Sequence, residues 1–133
     1  RLAYQKVTFY RGLELYTDGN NQEALAMFKK SLAEPRDPKF TARAMFWKGE
    51  SEYTLDNFGE ALLSFKQFLG YPEAKTTPEY KNSNYNLAYT HFKLKEYEQA
   101  ATFFQKQIDK TAKGIFFTTC IYAIAAIAAK WFL

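Results

Sequence analysis

"DNFGEALLSF", residues Asp56 to Phe65, sets turn-forming residues directly before an apolar run in which Ala61 precedes Phe65 by four places. The phrase stands again upstream as "DGNNQEALAMF", Asp18 to Phe28, and downstream as "KEYEQAATFF", Lys95 to Phe104. Ala24/Phe28, Ala61/Phe65 and Ala100/Phe104 therefore share one spacing, at periods of 37 and 39 residues. Self-similarity at such intervals marks one supersecondary unit used three times.

The unit is helical. In "EALAMFKKSL" the residues Ala24, Leu25, Phe28 and Leu32 fall at steps of three and four, and "EALLSFKQFL" repeats the stripe with Ala61, Leu62, Phe65, Phe68 and Leu69. No alternating β pattern competes. Asn20 with Glu23, and Asn57 with Glu60, predict a side-chain cap and its reciprocal partner at each start. Asp37-Pro38 and Thr77-Pro78 place a capping residue before a proline at the first helical position, and so open the helices that precede the phrase. Short turns at 17–20, 55–57 and 94–96 then join two helices into a pair. Aligning the phrases also aligns Gly12, Gly49 and Ala88 in the first helix, each twelve residues before the alanine of the second. Small residues at both places predict the closest approach of the paired helices, where a mid-helix glycine costs about 1 kcal/mol that close packing must offset. The phenylalanine four places after the second alanine is expected to fill the gap to the next pair.

Composition narrows the function. A chain of 133 residues is the size of one domain, and its 13 Phe and 10 Tyr promise a large core or an adhesive surface. It starts at Arg1 without a methionine, as expected of a processed form or a piece of something longer. One cysteine and one histidine leave no disulfide and no zinc cluster, so no metal is expected. His91 reads as a packed helical histidine and Cys120 as a buried, inert thiol. The net charge of +4 is spread as interleaved Lys and Glu, not as a basic stripe, which argues against nucleic acid. Without a glycine-rich phosphate loop, a nucleophile elbow or a cofactor fingerprint, the chain is expected to have no catalytic residues and no cofactor.

The stretches "RGLELYTDGNNQEALAMFKKSLAEP", "KGESEYTLDNFGEALLSFKQFLGYP" and "LAYTHFKLKEYEQAATFFQKQI", with small residues in both helices and an aromatic in the second, resemble the tetratricopeptide repeat. The resemblance implies an all-α fold in which helix-turn-helix repeats stack into a right-handed superhelical solenoid. One domain would span 1–133, with repeats at about 5–38, 42–75 and 81–114 and an apolar C-terminal helix at 115–133. The long periods and proline-rich joints are similar to the cell-envelope branch of the family in bacteria, so the periplasmic side is the expected location, with the cytoplasm left open. Departures from the family pattern are Arg11 and Lys48 where an apolar residue is usual, and Leu15, Glu52 and His91 where tyrosine is usual. Lys48 and Glu52, four apart, are expected to form an exposed pair worth about 0.5 kcal/mol.

What the resemblance implies for function is a concave wall made by the first helices, which binds a protein or peptide. That wall is expected to carry Lys6, Phe9, Leu13 and Tyr16, then Arg43, Phe46, Glu50 and Tyr53, then Asn82, Tyr85, Tyr89 and Phe92. Seven of the twelve are aromatic, with about half of the aromatics expected to be exposed and the rest packed between pairs. Relatives that grip a chaperone's terminal carboxylate use Lys, Arg and Asn, whereas Phe9, Leu13, Trp47 and Asn82 stand here and only Asn86 offers a fragment of that clamp. A peptide ending in Glu-Glu-Val-Asp is therefore not expected to bind.

"IFFTTCIYAIAAIAAKWFL", residues 115–133, carries one charge, Lys130. As a helix it would be roughly 28 Å long, near the thickness of a bilayer core. Three readings stand open: it packs on the third pair or on a second copy of the chain, it lies under further repeats, or it spans a membrane. Ala125 falls 37 residues after Ala88, where a fourth first-helix would place its small residue. The alternative to a binding scaffold is thus an assembly component held by this segment to a membrane or to a second copy.

Overall fold

A computed structural model of the chain describes residues 2–112 and 123–130. Within residues 2–112 six α-helices run in order: α1 (Leu2–Thr17), α2 (Asn21–Ala33), α3 (Pro38–Thr54), α4 (Phe58–Gly70), α5 (Ser83–Lys93) and α6 (Tyr97–Ala112). Each odd helix pairs with the even one after it, and α2 packs on α3 and α4 on α5, so that the pairs stack into an all-α repeat solenoid. Two short 3-10 helices, Pro72–Thr76 and Pro78–Asn82, fill the joint between the second and third pairs. No strand occurs among the described residues. Residues 123–130 are helical and exposed, Ile124 and Ile127 included. The rest of the expected C-terminal helix, with Cys120, lies outside the described residues.

The turn inside each pair has one construction. Gly19, Asp56 and Lys95 take positive φ, and the next residue's N–H reaches back five places: Asn20 to Leu15 O (2.8 Å), Asn57 to Glu52 O (2.8 Å) and Glu96 to His91 O (2.9 Å). This is the Schellman ending of a helix. It corrects the expected capping boxes, because Asn20 and Asn57 occupy the N-cap positions but make no side-chain cap bond. Their backbone N–H groups, which Glu23 and Glu60 were to cap, already serve the preceding helix. The third copy can therefore use Glu96 there, whose carboxylate meets His91 Nδ1 at 3.0 Å instead.

Asp37 caps α3 as expected, its Oδ1 accepting from Lys39 N at 2.9 Å. Thr77-Pro78 does not open the first helix of the third pair. It opens the second 3-10 helix, and Thr77 Oγ1 donates back to Ala74 O at 2.6 Å, so α5 begins only at Ser83.

Gly12, Gly49, Ala88, Ala24, Ala61, Ala100, Phe28 and Phe65 are buried. A Cβ on Gly12 would stand 2.6 Å from the Phe28 ring, and one on Gly49 would stand 2.7 Å from that of Phe65. Each ring thus closes over the glycine of its own pair, within a core cluster that also takes in a residue of the next, Ala44 for Phe28 and Leu87 for Phe65. In the third pair the small residue is Ala88, and Phe104 is half-buried beside Tyr85 and Tyr89.

Lys48 and Glu52 are not an exposed pair. Glu52 is 1% exposed and holds Ser64 Oγ (2.5 Å) as well as Lys48 Nζ (3.1 Å), which ties α3 to α4. His91 is buried and stacks on Phe103 at 5.4 Å.

Candidate partner-binding cleft

Steps of three and four bring one face of each first helix to a common wall, and the bonds that join the pairs decide what remains open on it. Phe9 is 0% exposed and Phe46 7%, so both belong to the core and not to a ligand surface. For Phe9 the cause is the neighbouring pair, where Phe40 meets it edge-on at 5.4 Å and the Arg43 guanidinium covers its face at 4.8 Å, whereas Phe46 packs on Phe65 and Phe68 of its own pair. Tyr85, at the equivalent place in the last described pair, has no such cover among the described residues and is half-buried.

Arg43 is also engaged. Its Nε lies 3.0 Å from both oxygens of Glu79, and Trp47 Nε1 donates to the same carboxylate at 3.0 Å. Glu79 thereby fastens the joint before the third pair to α3, and the charge of Arg43 is spent on a structural ion pair. Lys6 lies over the Phe40 ring at 5.4 Å. Leu13 packs half-buried against the core around Phe9 and Phe28. Asn82 and Phe92 are exposed, the former with its Oδ1 at 3.4 Å from Gln107 Nε2 and the latter edge-on to Tyr97.

Four of the expected residues come together. Tyr16, Glu50, Tyr53 and Tyr89, with Thr54 and Asn86, line a cleft of about 250 Å³ to which α1, α3 and α5 all contribute. At its wall Glu50 accepts from Tyr16 Oη at 3.3 Å and from the Asn86 amide, so one carboxylate joins three repeats. Burial pushes the Glu50 carboxyl up from its usual range, and the bonds from Asn86 and Tyr16 counter only part of that. The Tyr16 phenol is pushed up to about 12, first by burial and then by the adjacent Glu50 charge, so it stays a neutral donor. Tyr53 is raised for the same two reasons in the same order. Tyr89 is 52% exposed and forms the open lip.

Thr54 has no place among the expected residues; it is the last residue of α3, next to Tyr53. Asn86 stands two residues before the small Ala88, and its spacing alone marks it no more than its neighbours. The bond to Glu50 is what brings it into the cleft.

No metal-holding group of three or more His, Cys, Asp or Glu occurs among the described residues. Comparison with curated proteins finds no match. The family model described as tetratricopeptide repeat matches residues 10–74 and again 51–114, two overlapping spans that together run from the first pair through the third. With three stacked helix pairs and a matched span covering most of its length, the chain belongs to the tetratricopeptide repeat family.

Proposed function

We propose that this chain, like the proteins of its family, which generally mediate protein–protein interaction and are typically non-catalytic, is a scaffold, and that it docks an extended partner segment along the wall formed by α1, α3 and α5. The observation that carries the reading is the cleft in which Tyr16, Tyr53 and Tyr89, one from each first helix, stand around a single opening. Tyrosine supplies apolar area with a polar tip at little cost in side-chain freedom, which suits a binding hot spot better than a core. The segment bound is not a terminal carboxylate: the Asn86 amide is committed to Glu50, and the Glu50 carboxylate itself faces the opening. Capture of a partner from the source cell, with the Tyr53→Ala/Tyr89→Ala double variant as control, tests the reading. Equal capture by both proteins would refute it. Micromolar calorimetric binding of a peptide ending in Glu-Glu-Val-Asp would refute the exclusion of the carboxylate clamp.

The exposed Ile124 and Ile127 support a second reading, in which the C-terminal segment joins the array to a membrane or to a second copy of the chain. Truncation after Lys113 separates the two. A folded monomer that still captures the partner favours the scaffold, and loss of assembly or of membrane association favours the second reading. Placement in a bacterial cell envelope rests on the lengthened joints between repeats, and fractionation of the source cell tests it.

A further inference from the structure

The chemistry of the cleft says more about its occupant than the fold does. Glu50 is the one charged residue among the six that line it. A carboxylate has about four lone-pair sites. Tyr16 and Asn86 take one each, on different oxygens, so each oxygen keeps capacity for another donor. Around that carboxylate stand three phenol rings, those of Tyr16, Tyr53 and Tyr89. Aromatic faces and a partly buried carboxylate attract the same kind of group, a cation on an apolar stem. The volume, about 250 Å³, is below the roughly 300–1,000 Å³ of a small-molecule site and suits one long side chain.

We propose that this cleft receives one basic side chain, Lys or Arg, carried on an extended partner segment, with Glu50 as its counter-charge and the three tyrosines as its walls. The proposal deepens the scaffold reading and rests on it. Its charge sense is opposite to that of a site built for a terminal carboxylate. Its basis is complementarity: the cleft offers a negative charge that burial leaves under-solvated, and among the described residues no lysine or arginine lines the opening to meet it. Arg43, the nearest guanidinium in sequence, is held by Glu79.

Selection of random twelve-residue peptides on the full chain tests this without knowledge of the natural partner. The recovered binders are expected to carry Lys or Arg at one common position. Replacing that arginine by citrulline, or that lysine by norleucine, should weaken binding to the native protein at least tenfold. The same replacement should change binding to the Glu50→Gln variant less than twofold, with circular dichroism showing that the variant is folded. Binders that need Tyr53 and Tyr89 but share no basic residue would overturn the proposal and leave the scaffold reading standing, as would an equal citrulline effect on native and variant proteins. Binders indifferent to the Tyr53→Ala/Tyr89→Ala change, or a failure to recover any binder, would count against the scaffold reading itself and remove the proposal with it. Tetramethylammonium chloride, followed by the tyrosine ring resonances, separates the sources of the cation. Saturation at the concentrations that suffice for the peptides would assign the cleft to a small amine and overturn the assignment to a partner chain.

Discussion

Gly49→Ala places a methyl carbon where the Phe65 ring already lies, 2.7 Å from Cε1, 2.9 Å from Cδ1 and 3.1 Å from Cζ. Relaxed carbon–carbon contact is about 3.5–4.0 Å, so the ring or the helix must withdraw by close to an ångström. The ring has little room to do so, being 1% exposed and tilted against Phe46 at 5.6 Å. Overpacking of this kind costs about 1–3 kcal/mol, and exchange of a helical glycine for alanine returns about 1 kcal/mol. The expected net loss is up to about 2 kcal/mol. Gly59, with nothing within 4 Å of its Cβ position, is the control: Gly59→Ala should raise stability by about 0.5–1 kcal/mol. Urea unfolding followed by far-ultraviolet circular dichroism measures both. If the clash is with the ring, Phe65→Leu should cost at least about 1 kcal/mol less in the Gly49→Ala background than in the native one. A Gly49→Ala midpoint that rises with that of Gly59→Ala, or a coupling of zero, would refute the close approach.

Other expected outcomes are independent of that one. Lys95 holds a positive φ of 64° without being glycine, so Lys95→Gly should stabilise by about 0.5–1 kcal/mol, read as a higher urea midpoint. Glu79→Gln leaves the Arg43 guanidinium, 23% exposed, without its counter-charge and should cost about 2 kcal/mol in the same assay. Glu50 has a folded-state pKa raised above its unfolded value, so its contribution to stability is full below the unfolded pKa and is lost as pH rises through the folded one. Relative to the native chain, Glu50→Gln should therefore become more stable as pH rises through the folded pKa of Glu50, the margin closing at acid pH. A pH-independent difference in thermal midpoint would contradict this.

Helix periodicity and the recurrence of one phrase were enough to read the helix pairs, the small residues at their crossing and the family. Those properties depend on neighbours three, four or twelve residues away along the chain, and side-chain spacing on a helix makes them local. The capping boxes do not form although Asn20 and Asn57 suit a cap, because the backbone N–H that Glu23 or Glu60 would protect is bonded five places back to the helix before. The aromatic wall was half legible for a different reason. Periodicity says which face of α1 or α3 points toward the inner wall, but not how much of that face the next pair covers. Phe9 and Tyr85 occupy the same register, and among the described residues one is sealed by Phe40 and Arg43 while the other has no such cover.

The same holds for charge. Arg43 and Glu50 look alike in sequence as polar members of the wall. The ion pair of Arg43 with Glu79, 36 residues away, removes one of them from the surface, and the bonds of Glu50 to Tyr16 and Asn86 set the other at the mouth of a cleft. The sequence by itself determined the repeating helices, because helical packing is written in short-range spacing. Only the tertiary structure decided which side chains stay open to a partner, because that depends on contacts between repeats across the stack.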